Sequence, residues 1–230
     1  MGTYHKTILC LANSRRPKGT CFAGKEFAAG ETANWIRPVN ASNGGAVSDH
    51  DRLYKDNSHA DVLDIVRIPL KQPKPNLHHK EDHEIQDDQF WEKVGRATWP
   101  QIVGATDNVQ GPLWSNGDSS HHGRNDKVSE KIAAKLAGSL YLIAPSRLNL
   151  VVGFESAFKK PDVRKVRADF TYGGTTYNFV VTDLVVEKEF FDKGDGTYTI
   201  NDARLCVSLG EIFYGSAIKL AAAVIKSDRI

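Results

Sequence analysis

Gly173-Gly174 constrains the chain more than any other pair of residues. It separates residues 166–172 from residues 175–182, two runs rich in β-branched and aromatic side chains. Two glycines between such runs accept the positive φ angles of a two-residue hairpin turn, which commits this part of the chain to antiparallel sheet. The same texture of short apolar runs bounded by turn residues extends elsewhere. It predicts strands over 6–11, 20–23, 35–39, 62–70, 140–144, 148–154, 205–209 and 218–225. Turn residues at 13–19, Gly24 and Gly30, prolines at 69 and 73, and Asp195-Gly196 separate them, with Gly210 and Gly215 in a loop between the last two.

Helix signals are few. Residues 88–93 and 185–191 suggest short helices, and Ser129 reads as the N-cap of a helix through Leu136, stopped at Gly138. Residues 72–123 are irregular and rich in Pro, His, Asp and Gly. Each half of the chain then holds about four to six short strands and little helix, the element count of a small β-barrel such as the OB-fold. The expected fold is mainly β, with two small OB-like antiparallel β-barrels, a long irregular insertion and a few short helices. The expected division is an N-terminal OB-like barrel over 1–145, with the insertion at about 72–136, and a C-terminal OB-like barrel over 146–230.

Composition excludes several classes. No apolar stretch approaches the roughly 18 residues of a membrane-spanning helix. The apolar run at residues 7–12 is too short for a secretory leader and is cut off by Ser14-Arg15-Arg16. Cys10, Cys21 and Cys206 are too widely spaced for a disulfide framework or a Cys-x-x-Cys metal site, which points to buried thiols in a cytoplasmic protein. No P-loop, dinucleotide fingerprint or nucleophile elbow occurs. The net charge of +2 is small, but its distribution is uneven. Residues 1–40 and 159–167 are basic, the latter through Lys159, Lys160, Arg164, Lys165 and Arg167, and residues 81–92 are acidic. The basic segments could form one positive face or merely solvate the surface.

An ordered set of short stretches carries a family resemblance. It comprises Thr7-Ile8-Leu9-Cys10-Leu11-Ala12-Asn13-Ser14-Arg15, Cys21-Phe22-Ala23-Gly24-Lys25, Trp35-Ile36-Arg37-Pro38-Val39 and Leu63-Asp64-Ile65-Val66. Further on come Leu113-Trp114, Asn125-Asp126-Lys127-Val128, Ser139-Leu140-Tyr141-Leu142-Ile143, Val166-Arg167-Ala168-Asp169-Phe170-Thr171-Tyr172, Val181-Thr182-Asp183, Val207-Ser208-Leu209-Gly210-Glu211 and Lys219-Leu220-Ala221-Ala222-Ala223. In this order, over residues 6–225, the chain resembles the dual OB-containing domain proteins of bacteria and archaea. The resemblance implies two OB units and a role in prokaryotic conflict or defence through recognition of nucleic acids or nucleotides. One segment departs from it: where a His-Gln-x-Glu-Asn type of segment is expected, the chain has His78-His79-Lys80-Glu81-Asp82, without the two amides.

Several constellations could carry recognition. In a strand, Trp35 and Arg37 share one face, which suits stacking on a base and pairing with its phosphate; the alternative is a core Trp35 and a structural ion pair at Arg37. Arg15, Arg16 and Lys18 lie in the loop after the first strand, a loop that OB-folds use for nucleic acid. Trp114 could stack a base, and Asn125 and Asp126 could read its edge or simply form a turn. Arg167 and Lys219 are charges within second-half strands, facing either solvent or an anion. His78, His79, His83 and His121 are metal-ligand candidates by residue type, but their spacing matches no established ligand pattern. No cofactor is expected, and catalysis is the less favoured class.

The leading expectation is a nucleic-acid or nucleotide recognition module with single-stranded nucleic acid or a nucleotide as partner and no membrane. The alternatives are a metal-dependent nuclease or hydrolase built on the His/Asp/Glu-rich middle region, and a protein-interaction adaptor with partners from the same system.

Overall fold

The structure, a computed structural model, describes residues 2–157 and 160–229. It divides into two compact units. The first runs through Thr106 and includes Ala137–Ser139; the second comprises Asp107–Leu136 and Leu140–Arg229. The segment 107–136, which the sequence pattern assigns to an insertion in the first half, thus packs with the second unit.

The first unit is built on β1 (Tyr4–Arg16), β2 (Gly19–Ala28), β3 (Glu31–Val39), β4 (Asp64–Pro73) and β5 (Asp82–Ile85). Neighbouring strands pair in the order β1-β2-β3-β5-β4, and β4 returns to β1, closing a five-strand barrel. All these contacts are antiparallel except β3 with β5, which is parallel. Two short 3-10 turns, Ala41–Asn43 and His50–Arg52, connect β3 to β4. Ring closure explains why Ile8–Ala12 forms an unbroken buried run: β1 is paired on both edges and covered on both sides. Gly24 lies opposite Cys10 at a bulge in this pairing, and a Cβ there would sit 2.2 Å from the Leu9 carbonyl oxygen. Only glycine permits that strand crossing.

Outside the ring, β6 (Glu92–Arg96) pairs with β4, and α1 (Trp99–Gly104) packs near β3. The helix expected over 88–93 is absent. Trp91 is instead buried edge-on against Phe22, with ring centroids 5.0 Å apart, and the backbone beyond it joins the sheet. Tertiary burial of one indole outweighs a weak local helix preference.

The second unit contains β7 (Lys127–Ser129), α2 (Glu130–Ala133), β8 (Leu140–Ile143), β9 (Arg147–Ala157), β10 (Lys160–Tyr172), β11 (Thr175–Val181), α3 (Leu184–Lys193), β12 (Gly196–Thr199), β13 (Ala203–Phe213) and β14 (Ser216–Lys226). Its sheet runs β12-β9-β10-β11-β14-β13-β8, with β7 on β14. The central five, β9-β10-β11-β14-β13, repeat the first unit's order, and the parallel contact recurs between β11 and β14. Here the ring stays open: among the described residues β9 pairs with β12 and β10, and β13 with β14 and β8.

Gly173 (φ 54°) and Gly174 (φ 75°) make the expected hairpin turn between β10 and β11. The strands they join build the aromatic core, where Phe170 lies 5.2 Å from Tyr177 and 5.0 Å from Phe179 by ring centroid. Asp183 caps α3 by accepting from the Val185 and Val186 amides at 3.1 and 3.2 Å. The helix expected from Ser129 to Leu136 is only the single turn of α2, whose cap residue Ser129 makes no side-chain capping bond. β13 continues through Gly210 to Phe213, so the loop expected around Gly210 and Gly215 shrinks to a turn at Tyr214-Gly215.

Candidate nucleic-acid interface

In the first unit, β1 and β2 meet through a tight turn in which Arg16 pairs with Gly19, so the intervening Pro17 and Lys18 project at its tip. Arg15 and Lys18 are exposed there, and Lys18 adopts φ 69°. Arg16 is half-buried: its Nη2 donates to the Gly44 carbonyl at 2.8 Å, tying the turn to the connection after β3. On β3, Trp35 is half-exposed, and its register partner on β2 is Lys25. The Lys25 ammonium stands 5.5 Å from the Trp35 ring centroid and donates to the Ala105 carbonyl at 2.7 Å. Cation, ring and fixed acceptor leave an aromatic surface held in one orientation.

Arg37 shares the strand but not the exposure. It is 3% exposed, and its Nε donates to Asp82 Oδ1 at 2.6 Å across the parallel β3–β5 pairing. Burial pulls this guanidinium down, but the charges of Asp82 and Glu81 and the Asp82 hydrogen bond more than reverse that, so Arg37 stays protonated. Burial pushes the Asp82 carboxyl up, opposed by Arg37 and by the more distant charge of Arg16. Arg37 Nη2 is buried and, among the described residues, makes no hydrogen bond. Of the two arrangements open in the sequence for Arg37, the geometry is that of a structural ion pair.

The connection between β4 and β5 is a compact turn. The amides of Asn76 and His79 each donate to the other residue's carbonyl, at 3.0 and 2.8 Å. His78 and His79 are both buried within it, rings 4.1 Å apart, while Lys74 and Lys80 are exposed. His83 shares a 2.5 Å hydrogen bond with the Tyr4 hydroxyl, and burial lowers its pKa, reinforced by the charge of Lys6. His121 belongs to the second unit and meets His122 edge-on, ring centroids 4.3 Å apart. Among the described residues no three His, Cys, Asp or Glu side chains are grouped as a metal ion requires, so the metal-dependent alternative gains no ligand set.

The remaining candidates all lie in the second unit, where Trp114, Asn125, Asp126 and Lys219 fasten the segment before β7 onto the sheet and Arg167 ties neighbouring strands together. Trp114 (φ 64°) packs on Tyr141 at 5.0 Å. Asn125 accepts from the Gly117 amide at 2.9 Å and donates to the Thr176 carbonyl at 3.0 Å. Asp126 is buried and accepts from both the amide and the hydroxyl of Ser120. Arg167 chelates Glu155 and also reaches Asn178 Oδ1 at 3.2 Å. Lys219 is fully buried, donates to the Ser115 carbonyl, and lies 5.6 and 5.9 Å from the centroids of Tyr177 and Phe179. Burial lowers its pKa to about 8, against the raising effect of Asp126 and Asp118. Lys159 of the second basic segment lies outside the described residues.

The partners that fix these side chains were harder to anticipate. Lys25 carries a sequence signal, a charge directly after the Ala23-Gly24 step in a strand, but its pairing with Trp35 depends on the β2–β3 register. The contact between the Ser139 hydroxyl and Glu81 joins residues far apart in the chain and has no local signature.

A closed five-strand barrel followed by a sheet of the same strand order defines a protein of the OB class. The chain belongs to the dual OB-containing domain family, whose model matches residues 6–224. No match was found among curated proteins or among solved structures. Among the described residues no helix is long and apolar enough to cross a membrane.

Proposed function

We propose that the chain recognises single-stranded nucleic acid or a nucleotide on the first barrel. The observation that carries this reading is the pairing of an exposed basic turn, Arg15 and Lys18 with Arg16 behind them, with the half-exposed Trp35 on the same closed OB barrel. Phosphates are attracted by the turn, and a base stacks on the indole that Lys25 holds. The exposed Lys74 and Lys80 flank the β4–β5 connection, the other loop through which OB-folds contact oligonucleotides. On this reading Arg37 stiffens β3 from beneath. Trp114, Asn125, Asp126 and Lys219 hold the second unit's covering segment in shape, and Arg167 braces the sheet through Glu155 and Asn178. Family resemblance supports a setting in prokaryotic conflict or defence, and the lack of a disulfide among Cys10, Cys21 and Cys206 in the described residues supports a reducing, cytoplasmic compartment.

The test is anisotropy of labelled single-stranded RNA and DNA across a salt series. Binding that weakens steeply with salt, and whose salt slope falls by roughly 2 when Arg15, Arg16 and Lys18 are all replaced by Ala, supports the reading. Absence of binding, or a slope unchanged in the triple variant, overturns it.

A further inference from the structure

The open ring of the second unit leaves a cleft where the first unit has a closed seam. In the first barrel, β1 and β4 zip together from Tyr4 opposite Leu70 to Leu9 opposite Ile65. The strands at the equivalent positions of the second unit are β9 and β13. The outer edge of β9 is taken by β12, from Gly196 opposite Val152 to Thr199 opposite Asn149, and that of β13 by β8. Where β12 ends and β9 and β13 begin, a cleft of about 370 Å³ remains, lined by Ser146, Arg147, Thr199, Asn201, Asp202 and Arg204 among others. That volume is in the range of small-ligand sites.

The lining is chemically one-sided. It offers two guanidiniums, two hydroxyls and an amide against a single carboxylate, Asp202. Arg147 is pre-oriented. Its Nη2 meets Asp169 Oδ1 at 2.6 Å, and its Nη1 lies 2.9 Å from Asn149, in the amide orientation that satisfies Asn149's neighbours, while 45% of its side chain faces solvent. Arg204, half-buried at the start of β13, reaches back to the Ala203 carbonyl at 3.1 Å. Guanidinium forks in a cleft with hydroxyl groups match the oxygens of a phosphoryl group better than those of any neutral ligand.

We propose that this cleft is a small-ligand site for a phosphomonoester of nucleotide size, its phosphoryl group seated between Arg147 and Arg204. The site lies within the second unit and is independent of the surface assigned to the first barrel. Its residues come from three strand ends that only an unclosed ring leaves apart.

The experiment titrates the full chain with a 5′-mononucleotide, the matching nucleoside, and a 5′-phosphorylated oligonucleotide, followed by calorimetry and by amide shifts of Thr199 and Asn201. The mononucleotide is expected to bind saturably and to move those amides, whereas the nucleoside does not. Arg204→Gln and Arg147→Gln are each expected to weaken binding by about tenfold or more, the loss of a charge-assisted contact. Because Arg147 also pairs with Asp169, Arg204→Gln serves as the variant that leaves that ion pair intact, with melting temperature recorded for both. Binding of the oligonucleotide with the same amide shifts identifies a strand end as the source of the phosphate and also supports the site. No saturable mononucleotide binding into the millimolar range, equal binding of nucleoside and nucleotide, or undiminished binding by folded Arg204→Gln overturns it.

Discussion

Arg37 Nε and Asp82 Oδ1 lie 2.6 Å apart across the parallel contact of β3 with β5, and both side chains are buried. Removing one partner leaves an uncompensated charge in the barrel wall. Arg37→Ala is expected to cost about 3–5 kcal/mol, and replacing both residues, Arg37→Met with Asp82→Leu, to cost much less. Urea unfolding midpoints of the single and double variants check this. A single variant within about 0.5 kcal/mol of the parent would show that the pair is not structural.

Lys219 gives the second unit a pH signature. Its pKa of about 8 lies below the ordinary lysine value of 10.5. Between those values the unfolded chain holds more protons than the folded one, so folding stability rises as pH climbs from about 8 to about 10.5. The full rise is on the order of 3 kcal/mol. In Lys219→Met that component vanishes, and the difference between parent and variant stabilities, followed by denaturant unfolding from pH 7 to 10.5, isolates it from other titrating groups.

Asp183 serves two elements at once. Oδ1 caps α3, and Oδ2 accepts from the Val224 amide on β14 at 3.2 Å and from Arg229 at 3.3 Å. Asp183→Ala is expected to destabilise by at least about 2 kcal/mol, more than an ordinary cap, because it also orphans a buried strand amide. Hydrogen exchange offers a direct reading: the Val224 amide should lose protection along with the first turn of α3.

Trp35 is the residue whose loss should affect binding more than folding. Its ring is half-exposed, so Trp35→Ala is expected to weaken single-stranded oligonucleotide binding by about 1–3 kcal/mol per stacked base. Trp35→Phe should restore part of the loss, since a phenyl ring retains a stacking face. Anisotropy titrations at fixed salt distinguish this from the basic-turn variants, which change the salt slope instead.

Strand positions were legible because short apolar runs and turn residues report local backbone conformation. The Gly173-Gly174 hairpin is the clearest case. The fate of individual charges was not legible, since it depends on which strand lies opposite. Trp35 and Arg37 sit two residues apart, yet one is half-exposed and the other buried, because Arg37 meets Asp82 through a pairing that connects distant parts of the chain. Lys219 interrupts an apolar run, which suits a charge facing either solvent or an anion, but the segment around Ser115 covers it and supplies a carbonyl. The apolar anchors of that segment, Leu113 and Trp114, find their partners in the second unit's core, a contact with no local signature in the sequence.

The β1–β4 seam also dictates the order in which the first barrel can be completed. Tyr4 has no strand partner on that edge until Leu70 has been synthesised, and β5 must follow before β3 is covered. During translation, β1 therefore carries an apolar, unpaired edge for the time taken to add some sixty residues, a few seconds to about ten at ordinary elongation rates. Such edges template aggregation. Barrel closure is then a long-range and slow event, and substitutions that weaken the seam should lower the yield of folded protein more than its final stability.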